Sequence, residues 1–72
     1  MIEVFKTNVC HSDHANMLIE QIHRTFMEYK ANFDLEDCDR ILRVKSATGA
    51  VQPSLLIGLL KDHGFHAEVL PE

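Results

Sequence analysis

Cys10, His11, Asp13 and His14 place one thiol, two imidazoles and a carboxylate within five residues. Thiolate, imidazole and carboxylate are the side chains that bind transition metals. No other stretch of the 72-residue chain concentrates them so densely. One thiolate with two imidazoles is a borderline donor set. It suits Zn²⁺, and after it Ni²⁺ or copper as Cu²⁺, better than Cu(I), which favours soft thiolate pairs. An imidazole in a first helical turn is held neutral, and therefore ligating, by the positive helix terminus. His66 or Asp13 would complete the shell. The competing reading is a set of solvated loop histidines, since neighbours such as Cys10 and His11 point apart in extended backbone.

The flanking segments must position these groups. Met1 to Asn8 is β-rich, with Ile2 and Val4 on one face and Phe5 and Val9 on the other. Apolar residues on both faces predict a central strand and leave open which face is buried. Ser12 is a candidate helix cap, and Ala15, Leu18, Ile19, Ile22 and Phe26 follow at helical spacing. A helix over about 13–28 is expected. Lys30 to Glu36 alternates, with Ala31, Phe33 and Leu35 inward. The polar turn Asp37-Cys38-Asp39 joins it to a strand over 40–45 with Leu42 and Val44 inward, making a hairpin. A loop over 46–52 precedes Pro53, which suits the first turn of a second helix with the stripe Leu55, Leu56, Leu59 and Leu60. Gly64 is its expected stop, and 65–70 forms a last strand ended by Pro71.

The order β-α-β-β-α-β predicts a single α+β domain over 1–72 of ferredoxin-like form, a four-stranded antiparallel sheet with two helices on one face. That topology gathers three connections at one end: first strand to first helix, the hairpin, and second helix to last strand. They carry Cys10, His11 and His14, then Cys38, then His63 and His66. His63 reads as a dipole-favoured residue at a helix end, and His23 as a structural residue on the first helix.

Composition narrows the partners. The formal charge is −4 and no Lys/Arg cluster occurs, which argues against nucleic acid. The longest apolar run, Leu55 to Leu60, is far short of a membrane span. The first residues read as a strand, so a cytoplasmic setting with two reduced cysteines is expected. A domain of this size has no room for a deep substrate pocket, so an enzyme is not expected. Protonating all five histidines would carry the formal charge from −4 to +1.

Phe33-Asp34-Leu35-Glu36, the first helical stripe and the ending Leu59-Leu60-Lys61-Asp62-His63-Gly64-Phe65-His66-Ala67-Glu68-Val69 together resemble a heavy-metal-associated domain, the fold of copper chaperones. The resemblance covers nearly the whole chain. It implies metal binding in the first loop, where the family carries Met-x-Cys-x-x-Cys. Counting back without gaps from Asp34 places the two cysteine positions at His11 and His14 and the methionine position at Val9. A one-residue gap would instead align Cys10 with the first cysteine. Either way the two-thiolate clamp is replaced. The expectation is a metallochaperone-like protein holding Zn²⁺ or a related ion at Cys10, His11, His14 and His66. Its partner would be a metal-transporting protein, or it would self-associate. The alternative is a metal-free interaction module using the exposed sheet face or an edge strand, with Ile2 or Phe5, Ile41 and Leu70 as outward apolar residues.

Overall fold

A computed structural model describes residues 1–70. The elements run β1 (Ile2–Thr7), α1 (Ser12–Thr25), β2 (Tyr29–Asp34), β3 (Ile41–Ser46), α2 (Pro53–Asp62) and β4 (Ala67–Val69). The strands form one antiparallel sheet in the order β2-β3-β1-β4, a ferredoxin-like α+β layout with β1 inside and β2 and β4 at the edges. Ala15, Leu18 and Ile22 of α1 and Leu56 and Leu60 of α2 share one core with Phe5, Leu42, Val44 and Ala67 of the sheet. Both helices therefore cover the same sheet face. No helix among the described residues is long and apolar enough to cross a membrane.

The face of β1 left open by the sequence is settled by size. Phe5 and Val9 are fully buried, while Ile2 is 55% exposed. Burying the phenyl ring removes more apolar surface from water than burying Val4 would. Phe5 is thus excluded from the outward apolar set, and so is Ile41, which is only 5% exposed on the opposite face.

Several boundaries differ from expectation. Ser12 is the first helical residue, and His11 occupies the cap position without a side-chain cap bond. α1 stops at Thr25 rather than Glu28 because Phe26 turns extended. The chain then accepts the Tyr29 N–H on the Phe26 carbonyl at 3.1 Å and enters β2 one residue early. Tyr29 is a core residue, and its hydroxyl accepts the Gln52 N–H at 3.0 Å, fixing the approach to α2. Leu35 and Glu36 lie beyond the end of β2. Leu55 is 43% exposed, and Val51 from the preceding loop takes a core position. Gly64 does end the α2 segment with φ +86, a backbone region that costs glycine nothing. β4 has three residues, and the Pro71 stop lies outside the described residues.

Candidate metal centre

The backbone around the first loop is held from two sides. The Thr7 hydroxyl donates to the Arg40 carbonyl at 2.6 Å and accepts the Val9 N–H at 3.2 Å, and the Thr7 N–H donates to the Asp39 carbonyl at 3.1 Å. These bonds tie the end of β1 to the β2–β3 turn. Asn8 meets the α2–β4 connection reciprocally. Its N–H donates to the His66 carbonyl at 3.2 Å, and its side-chain oxygen accepts the His66 N–H at 2.8 Å. The three connections therefore do share one end of the molecule.

On this frame the side chains sort themselves. Val9 points into the core, so Cys10, next in an extended chain, points out and is exposed. His11 has extended backbone (φ −116°, ψ 135°) and His14 lies in the first turn of α1. Their rings meet edge-on with centroids 5.3 Å apart. The His14 ring also packs near Phe65, with centroids again 5.3 Å apart. Both histidines are exposed. His66 goes elsewhere. Its Nε2 lies 3.7 Å from a Glu68 carboxylate oxygen, and Glu68 shares with Lys6 the sheet face opposite the helices.

The loop thus joins His11 to His14 and leaves Cys10 and His66 apart from them. Among the described residues, the three-residue group with ligand atoms all within 4.8 Å is Asp37, Cys38 and Asp39 in the β2–β3 turn. Cys38 is exposed there. The closeness has a local cause. The Asp37 carboxylate accepts the Asp39 N–H at 2.9 Å, its carbonyl accepts the Arg40 N–H at 3.0 Å, and Arg40 adopts φ +49. This is an Asx turn, and the Asp-x-Asp spacing was the sequence signal for it.

The remaining histidines have single, identifiable partners. The His63 Nδ1 lies 2.9 Å from the Leu59 carbonyl in the last turn of α2. The His23 Nε2 accepts the Ala31 N–H at 3.0 Å. Comparison with known proteins gave no matching family model, no matching curated protein and no matching solved structure.

Proposed function

We propose that this chain is a metal-handling protein that holds a transition-metal ion at the β1–α1 loop, in the manner of a heavy-metal-associated domain whose cysteines are replaced. His11 and His14 are the ligands, and Zn²⁺ is the ion their donor set suits best, ahead of Ni²⁺ and copper. The observation that carries the reading is the ring separation. Two imidazoles on one tetrahedral zinc have Zn–N near 2.1 Å, which sets their ring centroids roughly 5 Å apart once the ring radius is added. His11 and His14 stand at 5.3 Å. Water, Cys10 after a change of rotamer, or a partner's side chain fills the remaining positions. Such an open, exposed, two-ligand site favours exchange over storage, which fits delivery of the ion to a metal-transporting protein. The two exposed free thiols suit a reducing compartment such as the cytoplasm.

A second reading is a metal-free interaction module, and the divergence of Cys10 and His66 from the histidine pair favours it. The two part company in one experiment: isothermal titration of reduced protein with Zn²⁺, Ni²⁺ and Cu(I) at pH 7.5, beside a His11→Ala/His14→Ala variant. Saturable Zn²⁺ binding that is lost in the variant and falls away below about pH 6, as imidazoles take up protons, supports metal handling. Binding equal in both proteins would end it in favour of the interaction module.

A further inference from the structure

His23 lies on α1, away from the candidate centre, and its ring does a specific job. A ring nitrogen accepts a hydrogen bond only when it carries no proton. The bond from the Ala31 N–H therefore defines a neutral His23 with its proton on Nδ1. β2 is an edge strand. In an antiparallel ladder, successive residues turn their N–H and C=O groups alternately toward the neighbouring strand and away from it. Ala31 bonds to His23, so Tyr29, Ala31 and Phe33 are the residues facing outward from β2, and Lys30, Asn32 and Asp34 bond to β3. The Tyr29 N–H is already taken by Phe26. His23 occupies the place where the carbonyl of an added strand would sit.

The sequence of β2 is complementary to itself. Antiparallel pairing with a second copy about Asn32 sets Ala31 against Phe33 on the helix-covered face and Lys30 against Asp34, twice, on the open face. Ala31 and Phe33 are outward residues, so this register also supplies the hydrogen-bonded pairs the ladder requires. Centring the pairing on Ala31 instead sets Lys30 against Asn32 and removes both ion pairs, while centring it on Phe33 sets Lys30 against Glu36, which lies beyond the end of β2. Within the chain, Lys30 stands directly opposite Lys45, and like charges so placed repel. Neither lysine has a carboxylate within ion-pair distance among the described residues. A second copy would place Asp34 beside each Lys30.

We propose that β2 is a pairing edge for a second copy of this chain, and that the neutral ring of His23 keeps it closed. Protonating His23 removes the acceptor, frees the Ala31 N–H and opens the edge. The charged groups around the ring are few. Glu20 and Arg24 on its own helix are paired with each other at 2.8 Å, Glu28 lies in the α1–β2 turn, and Lys30 and Asp34 of β2 leave on the opposite sheet face. Tyr29 is engaged with Gln52.

Sedimentation velocity at pH 8 and pH 5.5, in chelator so that no metal bridges two copies, tests this. Wild type should be monomeric at pH 8 and shift toward dimer at pH 5.5. His23→Ala, an exposed change to a better helix former, should associate at pH 8 about tenfold more tightly than wild type. His23→Gln keeps a carbonyl acceptor at every pH and should stay monomeric at both. In the His23→Ala background, Ala31→Pro removes the outward N–H and should restore the monomer. Lys30→Glu should do the same, and adding Asp34→Lys should bring the dimer back. A monomeric His23→Ala protein at its solubility limit would overturn the proposal. So would equal association of wild type and His23→Gln at pH 5.5, which would trace the effect to the general loss of negative charge.

Discussion

Two turns meet at one end of the sheet and use metal-binding residue types in opposite ways. In the β2–β3 turn, Asp37, Cys38 and Asp39 bring three ligand atoms within 4.8 Å of one another. The two carboxylates are already employed, with Asp37 accepting the Asp39 N–H and Asp39 lying 3.9 Å from Lys6. In the β1–α1 loop only two candidate ligands converge, yet among the described residues the His11 and His14 rings have only ring contacts. The contrast teaches that nearness of ligand atoms and freedom to ligate are separate properties. The turn is close because it folds on itself. The loop is open because Thr7 and Asn8, not the histidine rings, make the anchoring bonds.

The largest expected difference between the two turns is in metal affinity. His11→Ala/His14→Ala should weaken Zn²⁺ binding at least ~tenfold, a loss of ~1.4 kcal/mol or more, in a calorimetric titration. Asp37→Asn/Asp39→Asn should leave it within about twofold. The reverse ranking would move the site to the turn. Next comes the bond that joins the turns. Thr7→Val strands the Arg40 carbonyl and the Val9 N–H in a buried position, at a cost of about 1–3 kcal/mol, with Tm lower by roughly 5–20 °C. An unchanged Tm would show that the backbone bond from the Thr7 N–H to the Asp39 carbonyl suffices to hold the two turns together. A smaller effect separates the two contributions of Arg40, whose Nη1 donates to the Leu35 carbonyl at 2.8 Å. Arg40→Ala should lose about 1 kcal/mol, and Arg40→Gly should lose less by about 0.5–1 kcal/mol, because glycine accepts the positive φ. Equal denaturation midpoints for the two variants would mean that the turn carries no strain. Smallest is Lys6→Ala. Its ion pair with Asp39 is half-exposed, and its removal should change stability by no more than about 0.5 kcal/mol, a difference erased by salt.

The fold was legible because burial imposes periodicity. Ala15, Leu18 and Ile22 repeat at helical spacing, Ala31 and Phe33 alternate, and Pro53 and Gly64 bracket a helix. What escaped were residues whose place depends on distant partners. Tyr29 looks like the ragged end of a helix until its hydroxyl is seen to meet Gln52, 23 residues on. Ile41 alternates as an outward residue, yet it is 5% exposed between Lys6 and Asp34 on the neighbouring strands, where aliphatic stems can cover it. For the candidate site, the sequence grouped Cys10, His11, His14 and His66 by loop but could not resolve direction. The burial of Val9 decides that Cys10 faces away, and the Glu68 contact decides the same for His66. The sequence placed His23 on α1 apart from the other histidines, but nothing along the chain named Ala31 as its partner.

The clasp between Asn8 and His66 spans 58 residues. A contact so distant in sequence closes a loop whose entropy is recovered only after most of the chain is in place. β4 beyond it has only three residues and rests on an edge. The first loop should therefore be among the last parts to gain its native frame during folding. It should also be among the first to lose that frame in local openings, ahead of the β1–β3 centre. Amide exchange at Asn8 and His66 would then run faster than at Leu42 and Val44. The lifetime of the ring pair would be set by the docking of a strand that carries neither ring.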